Sequence, residues 1–292
     1  MMRGPKKQSI VVRSKEGLVS KVEDLKFIKD KYPILGWPLI RGVVNFGSSM
    51  VNGVKALMYS AEFYPDEEEA EPSKFEKWFE KTFGSAALEK AVISFSVVLG
   101  IAFSIFMFIF LPALISGLFI GLIKSYIVRN LIEGAIRIVI FVGYLFAVSQ
   151  MKDMKRVFAY HGAEHKTIRC YEAKLDLTVE NVRAQTRMHP RCGTSFLFLV
   201  VILSILFFSL LRFDHVLLRL GARLLLLPVV VSVSYEITRF VGRHDNLFTR
   251  FLTAPGMWLQ NFTTQEPDDS MIEVAIEAVK LVIPEEEGAD QW

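Results

Sequence analysis

Cysteine is scarce: Cys170 and Cys192 are the only two in 292 residues, too few for a disulfide framework. Charge is also scarce, at 22% of residues against 52% hydrophobic, which excludes an intrinsically disordered chain. Neither sign prevails, because 34 Lys and Arg stand against 31 Asp and Glu. The clustered Lys and Arg with interleaved aromatics of a nucleic-acid-binding surface are lacking, so nucleic acid is not an expected partner. The N-terminus is charged and β-like and lacks the apolar core of a cleaved export signal. The longest absence is over residues 91–123, 33 consecutive positions without Asp, Glu, Lys, Arg or His. At about 1.5 Å per helical residue, such a run exceeds a hydrocarbon layer of roughly 30 Å. The chain reads as a predominantly α-helical polytopic membrane protein with about four transmembrane helices, and membrane lipid is its first expected partner.

Residues 1–90 are the first of three expected regions, a small N-terminal α+β cytoplasmic region. From Gln8 to Glu23, β-branched residues stand on both sides of Glu16-Gly17, the pattern of a hairpin. After Trp37-Pro38, apolar residues including Val43, Val44, Met50, Val51, Val54 and Leu57 recur at helical spacings, predicting an amphipathic helix between Ile40 and Phe63. Its stripe would pack on protein, lie on the bilayer or pair in a homo-oligomer. The run from Asp66 to Ser73 reads as a solvated acidic linker.

Residues 91–239 are the expected membrane domain. The first span lies within Val92 to Ile123, where Pro112 kinks it or divides a full span from a shorter piece. The second, Asn130 to Met151, carries Glu133 and Arg137 on one helix face, where each can neutralise the other. The third is Ser195 to Leu211, and the short Arg212 to His215 connection makes it a hairpin with the fourth, Val216 to Arg239. Arg219 and Arg223 read as snorkelling toward a headgroup layer. Lys and Arg number 15 in residues 1–90 and nine in the 151–194 connection, so both termini and that connection are expected on the cytoplasmic side. Residues 240–292 are the third region, also cytoplasmic. There Ile272, Val274, Ile276, Val279 and Leu281 alternate with acids, predicting an amphipathic helix before a frayed tail.

The 151–194 connection holds three of the five histidines and both cysteines, and its first half reads as a helix continuing from the second span. His161-Gly-Ala-Glu164-His165 places two imidazoles one helical turn apart with a carboxylate between them, the inverted order used by some zinc hydrolases. Met154, Val157, Phe158, His161, His165 and Ile168 share a stripe, so the histidines point toward partners and not water. A second cluster, His189-Pro190-Arg191-Cys192-Gly193-Thr194-Ser195, stands at the mouth of the third span, where Pro190 keeps His189 out of a helix and Thr194 or Ser195 would cap the next one. Glu236, at the end of the fourth span, is expected at the same membrane face.

A catalytic zinc needs three protein ligands and an open position. His161, His165 and either Glu236 or His189 would supply them, with Glu164 as the base that activates water. Ligation by His161, His165, His189 and Cys192 together would instead close the site and make it structural. Cys192 as a nucleophile with a histidine partner is the third reading, and Cys170 reads as a packing residue.

At these residues the sequence resembles the bacterial YqhQ family of membrane proteins, described as predicted metal-dependent enzymes. The stretches that carry the resemblance are Met1 to Pro5, Leu39 to Val43, Tyr160 to Lys166, His189 to Phe196, Ser234-Tyr235-Glu236, Ala254 to Gln260 and Thr264 to Asp269. Family members carry a short Gly- and Gln-containing segment before the first of these, which leaves an upstream start or a shortened first strand as the two readings. The resemblance implies a multi-pass protein of the bacterial plasma membrane with a metal-dependent activity. Two functions compete: a zinc-dependent hydrolase acting on peptides or lipids at the cytoplasmic membrane face, and a non-enzymatic scaffold or transport component with a structural metal or none.

Overall fold

Short β-branched runs at the N-terminus cannot bury a core by themselves, and in the computed structural model they form an antiparallel sheet in the order β1-β2-β3. The structure describes residues 1–63, 85–118, 125–211, 216–244 and 246–284. The acidic run at 66–73, the end of the first expected span, the 212–215 connection and the tail from 285 lie outside the described residues. β1 is Met2–Arg3, β2 Lys7–Ser14 and β3 Gly17–Asp24. The predicted hairpin closes between Ser14 and Gly17, and Gly17 takes a φ of 129° that a side chain would strain. α1 (Ile28–Lys31) and a single 3-10 turn (Pro33–Gly36) lead to α2 (Arg41–Ala61), the expected amphipathic helix.

The chain then forms α3 (Ser85–Ile105), a π-helical stretch (Phe106–Phe110), α4 (Leu111–Gly117) and α5 (Tyr126–Gln150). α6 (Lys152–Glu172), α7 (Val179–Arg183), α8 (Gly193–Ser209), α9 (Val216–Arg243), α10 (Leu247–Thr263) and α11 (Asp269–Lys280) follow. Among the described residues, three helical stretches are long and apolar enough to cross a membrane: Ala91–Gly117, Tyr126–Gln150 and Leu217–Arg243. The third expected span is the 17-residue α8, which at about 1.5 Å per residue is about 26 Å long. This architecture is mostly helical and consistent with a membrane protein.

Two compact units divide the chain, residues 1–63 with 141–292 and residues 64–140; the expected regions 1–90 and 91–239 cross that division, and 240–292 lies within the first unit. In the smaller unit, Pro112 has no N–H to offer the carbonyl four residues before it, that of Phe108. That carbonyl, inside the π-helical stretch, accepts from Arg137 Nε at 2.9 Å. Arg137 also meets Glu133 at 3.1 Å, with the two residues only 4% and 2% exposed. The pair read from their spacing is therefore formed, and it serves the proline as well.

In the larger unit, α11 packs against α6, α7, β1 and β2, burying Met2, Val11, Ala163, Cys170, Val182 and Ile272 in one core. α6 does not continue from α5. Met151 is extended, with φ −66° and ψ 135°, although the local sequence has no Pro or Gly to stop a helix. Packing makes the break: α6 turns to bury Ala163 and Cys170 against α11, and Asp153 sits in its first turn, where the helix dipole favours an acid. α8 and α9 pack together as the expected hairpin partners, but Arg219 and Arg223 are buried and do not snorkel. The guanidinium of Arg223 lies over the Phe208 ring, 5.5 Å from its centroid, a contact that compensates part of its burial.

Gly162 permits the closest crossing in this unit. A Cβ there would lie 2.0 Å from the Gln265 carbonyl oxygen, where Gln265 N also donates to the Phe158 carbonyl. Gly162→Ala must force the 263–266 segment off α6 and should destabilise the protein by about 3 kcal/mol, the upper range for overpacking. The midpoint of detergent-phase thermal unfolding measures this, and a change within about 0.5 kcal/mol would show the segment free to move.

Candidate metal centre

The helical spacing of His161 and His165 stacks their rings on one face of α6, with centroids 4.3 Å apart. What surrounds them decides their chemistry. His161 Nδ1–H donates to the Thr263 carbonyl, at the last residue of α10, over 2.8 Å. His165 Nδ1–H donates to the Arg187 carbonyl over 2.6 Å. A carbonyl can only accept, so both imidazoles carry a proton on Nδ1 and turn Nε2 toward the cluster, the orientation usual for metal-ligating histidines.

The third side chain at this point is Cys192. Its Sγ lies 3.4 Å from His161 Nε2, and the donor atoms of His161, His165 and Cys192 all fall within 4.8 Å of one another. Cys192 and His165 are buried and His161 is partly buried. Cys192 is the N-cap of α8 in extended conformation, and its side chain makes no cap bond. Thr194 and Ser195, expected as the cap, fall two and three residues inside the helix end: Thr194 Oγ1 lies 3.2 Å from the Cys192 sulfur, and Ser195 Oγ accepts from Gln260 Nε2. A sulfur at a helix N-terminus faces the positive end of the dipole.

Burial by itself would raise the thiol pKa, but hydrogen bonds from His161 and His165 and their charge bring Cys192 down to about 5. Burial works against a charged His161, whereas the Cys192 hydrogen bond and charge, Glu164 and the Thr263 carbonyl carry it up to about 9. Without a metal, these shifts draw the shared proton from Cys192 onto His161 Nε2, and a cation binding at the trio would displace it, leaving a thiolate and two nitrogens directed at one point.

The other expected residues are engaged elsewhere, although the His189 ring lies next to the trio, with its centroid 5.7 Å from that of His165. His189 Nδ1 accepts from the Arg191 backbone N–H at 3.3 Å, and its Nε2 donates to Glu172 at 3.2 Å, so both ring nitrogens are engaged. Glu172 also takes Arg191, and although burial opposes it, His189 and the arginines hold its carboxyl below the usual range. Glu236, expected as third ligand, is held by Arg41 through both carboxylate oxygens, while Asn45 donates to the neighbouring Tyr235 hydroxyl at 2.8 Å. Gly42 lies so close to Ser232 and Tyr235 that α2 seats directly on α9. Glu164 is partly exposed beside the pair and accepts from the Met1 α-amino group at 2.8 Å.

Residue-type reasoning alone misses Gln260, which is fully buried and clamps the His189 backbone, accepting from its N–H at 2.8 Å and donating to its carbonyl at 2.7 Å. A Gln on the polar side of a helix carries no chemical signature, and only its place in a quoted family stretch marks it. Thr263 and Arg187 act through backbone carbonyls, which any residue would supply.

The sequence profile of a family described as Protein of unknown function (DUF1385) matches residues 37–285. The chain is similar to the protein named Uncharacterized protein YqhQ of Bacillus subtilis (strain 168), at 36% identity over 259 residues, 87% of this chain and 79% of that protein. The chain belongs to this YqhQ family. No solved structure matches it significantly.

The trio fits a zinc ion by its donor chemistry. Zinc bonds of about 2.0–2.1 Å to nitrogen and 2.3 Å to sulfur require donors roughly 3.3–3.6 Å apart in a tetrahedron; the 3.4 Å between Cys192 Sγ and His161 Nε2 falls in that range, and the three donors lie within 4.8 Å of one another. Two neutral imidazoles and a thiolate are borderline-soft ligands suited to zinc, and three of them leave the fourth position of a tetrahedron to another molecule.

Proposed function

We propose that this protein is a multi-pass protein of the bacterial plasma membrane that holds zinc on His161, His165 and Cys192 and acts as a hydrolase on peptides or lipids at the cytoplasmic membrane face. In this reading α8 spans together with the three longer apolar stretches, and both termini are cytoplasmic, following the Lys and Arg asymmetry. The observation that carries the reading is the pair of Nδ1 bonds to the Thr263 and Arg187 carbonyls, which turn two imidazole Nε2 atoms toward the Cys192 sulfur. Zinc bound there would polarise a water molecule and a substrate carbonyl or phosphoryl oxygen. Glu164, one residue from His165, would accept the proton from that water, and the Thr263 and Arg187 carbonyls would hold the ligand rings in register.

Glu164→Gln tests the hydrolase. The variant should keep one zinc per chain and lose hydrolysis of fluorescein-labelled casein or of a fluorescent phospholipid by about a hundredfold or more, the usual contribution of a general base. Full activity with metal retained would remove Glu164 from the chemistry. Wild type that binds zinc yet hydrolyses neither probe would favour the scaffold or transport component with a structural metal.

A further inference from the structure

α10 begins four residues after Arg243 ends α9, its first turn secured by an Asn246 and Thr249 capping box. Midway along it, Gly256 meets Ser195 in the first turn of α8, where a Cβ would lie 2.6 Å from the serine Cβ. Near its end, the Phe262 ring meets Phe146, one turn before the end of α5, with centroids 6.1 Å apart. Its start, middle and end are thus tied to the same-side ends of three apolar helices. A helix of 17 residues, about 26 Å long, that touches all three must run across them.

The two sides of α10 differ sharply. Leu247 and Phe251 are 87% and 77% exposed, and Phe248 and Trp258 are also exposed. At 3.6 residues per turn these four fall within an arc of about 100°. Thr249, Gly256, Gln260 and Thr263, on the opposite side, are buried. Arg243 and Arg250 are exposed near the start of the helix, where guanidinium groups beside large apolar side chains suit phospholipid headgroups.

We infer that α10 lies flat in the membrane interface with Leu247, Phe248, Phe251 and Trp258 in the headgroup and acyl boundary of a phospholipid bilayer. This rests on the membrane placement proposed above. The other side of the same helix supplies the Thr263 carbonyl to His161 and the Gln260 amide to His189, so the metal centre lies directly under the lipid-contacting helix.

The test places Trp258 alone by Trp37→Phe, Trp78→Phe and Trp292→Phe, in vesicles of phosphatidylcholine and phosphatidylglycerol. Phosphatidylcholine brominated near the top of its acyl chains should quench Trp258 about twofold, bromination near the chain ends should quench less, and aqueous iodide should have little effect, as a depth of about 5–10 Å requires. If the triple variant is not monodisperse, the difference between wild type and Trp258→Phe reads the same signal. Quenching by iodide and not by brominated lipid overturns the inference. Quenching by neither also overturns it, because protein then covers this face. Failure to enter vesicles in a carbonate-resistant form would instead overturn the membrane placement itself.

Discussion

Cys192→Ser should strip the protein of zinc, lowering its affinity by about a hundredfold to a thousandfold. Zinc binding worth about 10–16 kcal/mol in structural sites averages about 3 kcal/mol per ligand, and a hydroxyl cannot replace a thiolate at the shared point of the trio. His161→Ala and His165→Ala should do the same. His189→Ala and Glu236→Gln should keep the metal, because His189 is committed to Glu172 and the Arg191 N–H, and the Glu236 carboxylate to Arg41. Elemental analysis of detergent-purified protein, with size-exclusion profiles to exclude unfolding, reads all five variants. Zinc kept by Cys192→Ser and lost by Glu236→Gln would return the third ligand to α9. Zinc lost with His189→Ala as well would mark a closed, four-ligand site.

The second large effect is expected in the smaller unit. Arg137→Met should destabilise by about 3–5 kcal/mol, because it leaves the carboxylate of Glu133 buried without its helical partner and the Phe108 carbonyl without the Nε donor. Glu133→Gln should cost less, since an amide oxygen still accepts from the guanidinium and Arg137 keeps Phe108. Adding Pro112→Ala to Arg137→Met should recover about 1 kcal/mol, the net worth of one hydrogen bond, by giving the Phe108 carbonyl a backbone N–H. Unfolding midpoints in detergent give all three values. A change within about 0.5 kcal/mol for Arg137→Met would mean that water reaches the pair. No recovery with Pro112→Ala would mean that the proline does not set the arginine's second bond.

The same two sites show what each level of description contributes. The uncharged run at 91–123, the amphipathic stripe of α2, the hairpin around Gly17 and the one-turn spacings of Glu133 with Arg137 and His161 with His165 were legible in the sequence. Each depends on periodicity within a single element, where 3.6 or 2 residues per repeat decides which side chains are neighbours. The break at Met151 was not legible, because no residue there forbids a helix and the turn is imposed by burial of Ala163 and Cys170 against α11. Nor was the inward turn of Arg219 and Arg223, since a cation near a span end reads alike whether it meets headgroups or a ring such as Phe208.

The metal centre divides along the same line. By itself the sequence determined the helical histidine pair, its neighbouring carboxylate and the family. The choice among Glu236, His189 and Cys192 as the companion of that pair belonged to the tertiary structure alone. Residues 27, 31 and 71 positions from His165, His161 and Gln260 respectively are brought together by how α6, α8 and α10 cross. The Nδ1–H bonds that turn both histidine Nε2 atoms toward Cys192 come from the Thr263 and Arg187 carbonyls. Backbone groups are identical in every residue, so their positions exist only once the chain has folded.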